Sequence, residues 1–260
     1  MDTDASESCL PASLIPSLIL FIRGTAHIKL EDGSLQECPR FLLRGPFVGP
    51  TRTFLSLQMR CISVGFRPGM LHQAMGVLPV DVLSGLKSMD EIVDPQLVSA
   101  LLLAMDEEHS NEECVARFQD YLLATLDHQK KAGMGAAFLA AHQKMFLPLI
   151  DLSLHFGIGE RQLERRVRES FGVNLRDARR ITRFGLSVLR IIGHPISWGD
   201  LTRIAQDSGF YDQAHMHKEY VELAGLSPAA LLQKIASDDP AYWMYRLSPR
   251  DAKDLFLPIE

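Results

Sequence analysis

The chain has 260 residues, 47% of them apolar and 23% charged, which excludes a disordered or fibrous protein and suits a soluble globular one of about two domains. The net charge is −5, which taken whole speaks against a nucleic-acid partner, but the charge is unevenly placed. Between Gly157 and Arg190 nine Arg (161, 165, 166, 168, 176, 179, 180, 183 and 190) stand against four acids, a local balance of +5 that leaves −10 for the remainder. A basic segment in an acidic chain is the footprint expected for contact with backbone phosphates, the alternative being a solvated helix face.

Cys9, Cys38, Cys61 and Cys114 are widely spaced and form no Cys-x-x-Cys pair, so they give no metal or redox signature and read as free thiols in a reducing cytoplasm. Asp2, Asp4 and Glu7 stand where a secretory signal would carry Lys or Arg. The apolar run Leu14 to Ile22 is short and broken by Pro16, so neither export nor membrane anchoring is expected.

From Leu18 to Phe66 short β-prone runs follow one another: Leu18–Ile22, His27–Leu30, Phe41–Leu43, Phe54–Leu57 and Arg60–Gly65. Glu31-Asp32-Gly33-Ser34 is the clearest hairpin turn. The pattern predicts a small β-rich domain, a cupin-like barrel or a sandwich, followed by a short helix from Met70 to Met75. A metal enzyme on such a domain needs clustered ligands, but only His27 and His72 fall here and no His-x-His accompanies them. Apolar inward residues suit a ligand pocket and a filled core equally well.

After Asp94 the period becomes helical. Pro95 fits a first helical position, and Gln96 to Met105 forms a Leu-rich helix. A second helix is expected from Glu112 to Lys131, with acids at its start and Lys130 and Lys131 at its end, as the helix dipole favours. Its stripe of Val115, Phe118, Leu122 and Leu126 either packs on the β domain or forms a helix-to-helix dimer contact. Lys130 to Gly135 reads as a linker without a dinucleotide fingerprint. Ala136 to Lys144 is a further short helix, and Pro148 opens one that ends at Phe156-Gly157.

Gly209-Phe210-Tyr211-Asp212-Gln213-Ala214-His215-Met216-His217-Lys218-Glu219-Tyr220, then Gly225-Leu226-Ser227-Pro228, organises the carboxy-terminal half. Gly closes one helix, Asp212 caps the next, and Met216, Tyr220 and Leu223 repeat at helical spacing: a tight helix-turn-helix. Upstream, Leu152 and Gly157 precede Ile204 and Gly209 by 52 residues. Leu163, Arg165, Val167 and Gly172 precede Met216, Lys218, Tyr220 and Gly225 by 53, so the unit occurs twice. Leu175 to Ile192, with Ala178, Ile181, Leu189 and Ile192 near one face, joins the units as a helix of about 27 Å, approaching the roughly 34 Å of one DNA turn.

The Gly-Phe-Tyr-Asp-Gln-Ala-His and Gly-Leu-Ser-Pro runs, with Gln162-Leu163-Glu164-Arg165-Arg166 upstream, closely resemble the two helix-turn-helix signatures of the AraC/XylS family of bacterial transcription regulators. The β-rich part, through Val48-Gly49-Pro50-Thr51 and Val64 to Gly69, resembles the family's sensor or dimerisation domain less specifically. The resemblance implies an α+β protein: residues 1–131 a β-rich sensor or dimerisation domain with helices, 136–237 an all-α DNA-binding domain of two helix-turn-helix units joined by a long linker helix, and 238–260 a tail.

Its implied partners are double-stranded DNA and RNA polymerase, with a small-molecule effector and a homodimer as further expectations; no cofactor and no catalytic activity are expected. Carried onto this sequence, the motif places Arg161, Glu164, Arg165, Gln213, Ala214 and Lys218 at bases. Arg166, Arg168, Arg183 and His215 fall to phosphate, His215 alternatively bonding the turn. Val167 and Tyr220 stand where the family favours Phe. Residues 193–237 carry three basic residues against five acids, so the first unit is expected to supply most of the affinity. The same acidic balance leaves open a protein-interaction module that no longer reads an operator.

Overall fold

The computed structural model describes residues 6–67, 69–126, 142–193 and 199–256. The chain is α+β. Among the described residues there are eight strands: β1 (Ser6–Leu10), β2 (Ser17–Arg23), β3 (Ala26–Lys29), β4 (Leu35–Glu37), β5 (Phe41–Arg44), β6 (Thr51–Leu55), β7 (Arg60–Gly65) and β8 (Leu86–Ser88). They form two four-stranded antiparallel sheets, ordered β1-β6-β3-β4 and β7-β2-β5-β8, which are not closed into a barrel. The Glu31–Ser34 turn joins β3 to β4, with Gly33 at φ +85°. Three strands escape the sequence pattern. β1 is polar, while β4 and β8 have three residues each, too few for a period to show. The run Phe54–Leu57 is instead Thr51–Leu55, leaving Leu57 60% exposed.

The central strands of the second sheet, β2 and β5, are covered on both faces, and β2 accordingly reads as a continuous apolar run. Leu18, Leu20 and Ile22, with Phe41 and Leu43 of β5, pack against three helices: α1 (Leu71–Met75), α2 (Pro95–Ala104) and α3 (Asn111–Thr125). Alternation along the strands sends Ile19, Phe21, Leu42 and Arg44 to the other face, toward the first sheet.

The α3 helix starts with a capping box between Ser110 and Glu113 and ends at Thr125, with Leu126 already extended, rather than running to Lys131. Its buried face is Cys114, Phe118 and Tyr121, with Val115 43% exposed. Of the expected stripe, Phe118 is in the core and Leu122 and Leu126 pack against it, so the helix packs on the β domain. Cys114 and Tyr121 take the inward place expected of Val115. The Phe41 ring meets Phe118 and Tyr121 edge-on at 5.8 and 5.5 Å. The expected linker at 130–135 and the start of the helix expected at 136 lie outside the described residues. His142–Phe146 is a short 3-10 turn.

Among the described residues seven helices follow: α4 (Leu149–Phe156), α5 (Glu160–Phe171), α6 (Leu175–Gly193), α7 (Asp200–Asp207), α8 (Gln213–Ala224), α9 (Pro228–Ala236) and α10 (Pro249–Phe256). The long α6 is their axis. Its buried residues include Ile181, Phe184, Val188 and Ile191, whereas Leu189 and Ile192 are half-buried, because the helix is covered by other helices on more than one side. The apolar cluster around α6 also takes in Ala12 and Leu14 from the amino-terminal segment and Tyr242 and Tyr245 from the tail. The tail packs inward through a 3-10 turn at Pro240–Arg246, and the Trp243 indole N–H donates to Ser8 Oγ at 2.8 Å. Its aromatic cluster is covered by α6, α9 and β1.

Candidate nucleic-acid interface

The internal repeat seen in the sequence is a repeat of backbone. α4 and α7 each have eight residues, and α5 and α8 each have twelve. The turn glycines Gly157 and Gly209 have φ of +64° and +81°, and the closing glycines Gly172 and Gly225 have +76° and +77°, a left-handed conformation that favours glycine. At Gly172 space adds a second reason, because a Cβ there would sit 2.9 Å from the Pro79 carbonyl carbon. Equivalent apolar residues are buried in both units: Leu152 and Ile204, Leu163 and Met216, Val167 and Tyr220. Leu163, Val167, Met216 and Tyr220 therefore fill the core and leave the opposite faces of α5 and α8 to solvent.

On α5 the exposed face carries Arg161, Glu164, Arg165 and Arg168, spaced three, four and seven residues apart and so aligned on one side of the helix. Arg165 lies 3.7 Å from Glu169, an exposed pair. Arg166 is half-buried, with its Nε shut off from solvent and without a hydrogen-bond partner. On α8 Gln213, Ala214, His217 and Lys218 are exposed. The Thr202 hydroxyl donates to Gln213 Oε1 at 2.9 Å, which holds the amide and leaves its NH2 as donor. Asp212 caps α8 by accepting from the His215 N–H at 2.7 Å, whereas α5 begins at Gly159 without a side-chain cap.

Arg183 and His215 are turned inward. The centre is Glu219, 5% exposed on α8, where a lone carboxylate would be costly. Arg180 Nε donates to its Oε1 at 3.1 Å and Arg183 Nη2 at 3.3 Å. Arg180 also reaches Glu222, and Arg183 donates to the Gly209 carbonyl and lies over the Phe210 ring. His215 Nδ1 accepts from the Tyr211 N–H at 3.2 Å while Nε2 lies 3.3 Å from Glu219 Oε1. With Nδ1 accepting, Nε2 is the ring nitrogen left to donate to Glu219. Arg183 and His215 thus clamp α8 to α6, and His215 takes the turn-bonding alternative.

Two further arginines of the basic segment are bonded inside the protein. Arg179 donates to the Met145 and Leu147 carbonyls, and Arg190 to Ser208 Oγ at 2.9 Å. Close by, the Ser187 hydroxyl donates to the Phe184 carbonyl and receives the phenol of Tyr220 at 2.8 Å. Burial raises the Tyr220 pKa well above the usual tyrosine range.

The sequence did not foresee Glu219 or Arg180 in these roles, since each reads as one more exposed charge on a helix. Among the described residues no cluster of His, Cys, Asp and Glu could hold a metal, and no helix is long and apolar enough to cross a membrane.

No protein-family model matches the chain, and no curated protein does. Solved structures similar in fold include three of ToxT from Vibrio cholerae. An apo point variant from strain SCE256 has 12% identity and a TM-score of 0.49, covering 89% of this chain and 94% of that one. A 1.65 Å structure has 10% identity and a TM-score of 0.48, covering 88% and 97%. A wild-type form bound to an unsaturated fatty acid has 13% identity and a TM-score of 0.46, covering 88% and 91%.

Proposed function

We propose that the chain is a sequence-specific DNA-binding transcription regulator of AraC type. The observation that carries this reading is the duplicated unit: two twelve-residue helices, α5 and α8, each with its apolar side buried and its polar side open, joined by the 19-residue α6. At 1.5 Å per residue α6 spans about 28 Å, a separation that suits entry into successive major grooves on one side of a duplex.

In this reading Arg161, Glu164 and Arg165 face bases from α5, and Gln213, Ala214 and Lys218 from α8. Arg pairs bidentately with guanine and Gln with adenine. Arg166 and Arg168 are assigned to phosphates, which fix register without reading sequence. Arg183 and His215 are left out of the interface, because both Nη atoms of Arg183 and both ring nitrogens of His215 are turned to Glu219 and the turn. Bound DNA then brings the regulator to RNA polymerase, with control exerted through the amino-terminal half.

Fluorescence anisotropy with labelled genomic fragments across a salt series tests the proposal. A DNA reader loses affinity steeply as salt rises, and Arg165→Ala weakens binding by about tenfold or more, the loss of one bidentate base contact. Binding that ignores salt, or that survives Arg165→Ala unchanged, favours the protein-interaction module suggested by the acidic second unit.

A further inference from the structure

The two units match position for position, and the places where they differ bear on what each can read. At the offset of 53, Arg161 corresponds to Ala214, Glu164 to His217 and Arg165 to Lys218, all of them exposed. Arg165 and Lys218 are alike in kind, both donors suited to guanine O6 and N7. Nearer the helix start the units part. There α5 offers Arg161, a second guanine reader, and a turn further Glu164, an acceptor for cytosine N4. In their place α8 starts with Gln213 and Ala214, an amide that pairs bidentately with adenine and a methyl that suits the methyl of thymine. A recognition helix meets base edges with its N-terminal residues, so the difference falls where sequence is read.

Gln213 is also held. Thr202, exposed on α7, donates its hydroxyl to Gln213 Oε1 at 2.9 Å. An unbraced amide turns between two orientations that exchange its oxygen and its nitrogen. Only one of them matches adenine, which offers a donor at N6 and an acceptor at N7. The Thr202 bond selects an orientation: it uses one lone pair of Oε1, leaves the second open to accept, and fixes the NH2 as the neighbouring donor. The first unit is built differently. Ile150, 57% exposed, stands 52 residues before Thr202 and has no group to donate to Glu160, the counterpart of Gln213.

We infer that the two parts of the operator differ in composition, with G·C pairs under the start of α5 and A·T pairs under the start of α8, and that Thr202 is the positioning residue that makes Gln213 a reader of adenine. The inference rests on the DNA-binding reading and deepens it, from which helices read to what each one reads.

The test is selection of bound duplexes from a random DNA pool by the full native chain, with Arg161→Ala and Gln213→Ala assigning positions of the motif to the two helices. G·C is expected at the position that loses its preference in Arg161→Ala, and A·T at the one that loses it in Gln213→Ala. Anisotropy titrations then use two duplexes that differ only in A·T against G·C at the Gln213 position. Thr202→Val keeps the size of the side chain and removes its hydroxyl. It is expected to lower the preference for A·T by about tenfold, within the range of one bidentate base contact, and to leave the part read by α5 unchanged. Thr202→Ser, which keeps a hydroxyl, is expected to retain the preference. Equal weakening on both duplexes in Thr202→Val would be a merely structural effect and overturns the inference. So does G·C at the Gln213 position, a motif that Gln213→Ala leaves unchanged, or a preference that survives Thr202→Val. If the native chain enriches no motif at all, the DNA-binding reading itself fails and this inference falls with it.

Discussion

The two helix-turn-helix units share helix lengths, glycine positions and core, yet differ in what their charges do. On α5 Arg161, Arg165 and Arg168 are exposed, and Arg165 has only the distant Glu169 beside it. On α8 the acid Glu219 is buried and draws Arg180, Arg183 and His215 around it. The first unit therefore spends its cations outward and the second spends its neighbours' cations inward. One fold thus serves two ends: a charged face that can meet a polyanion, and a clamp that fixes the second helix on the linker.

The largest effect expected from this contrast is on stability. Glu219→Ala takes the carboxylate from Arg183 and leaves Arg180 with Glu222 and Asp177 alone, and should cost about 3 kcal/mol in urea unfolding, as loss of one member of a buried ion pair does. Glu169→Ala, the corresponding loss on the exposed face, should cost less than about 1 kcal/mol. Similar losses for the two would erase the distinction.

Next in size is the effect on DNA. Arg165→Ala is expected to lose about 1–3 kcal/mol of binding while unfolding within about 0.5 kcal/mol of the native chain. Lys218→Ala, at the equivalent place in the acidic second unit, should lose less in the same anisotropy titration. If Lys218→Ala abolished binding and Arg165→Ala left it intact, the order of the units would be reversed.

The smallest effect concerns the junction behind α8. Tyr220→Phe removes the hydrogen bond to Ser187 and should cost about 1 kcal/mol, while the ring keeps its edge contact with Phe184 at 4.8 Å. A loss well beyond that in calorimetry would mean that the phenol supports more than one bond.

Much of the fold could be read from residue pattern. The repeat at 52 and 53 residues foretold the paired helices, because buried positions and left-handed glycines recur wherever the backbone does. The long α6 and the Asp-capped starts of α2 and α8 were legible for the same local reasons. The charges were less so. Nine Arg in one stretch suggested a phosphate-binding surface, but Arg179, Arg180, Arg183 and Arg190 are bonded inside the protein to groups 18 to 42 residues away, and no local pattern reports a partner at that range.

Selection of bound fragments from random DNA at near-physiological salt, run with the native chain and with Arg165→Ala, tests the two-unit reader most directly. The account predicts one asymmetric motif of two parts, about 10 base pairs from centre to centre, with the part read by α5 lost in the variant. Saturable binding to DNA without enrichment of any sequence, or a motif unchanged by Arg165→Ala, would contradict it.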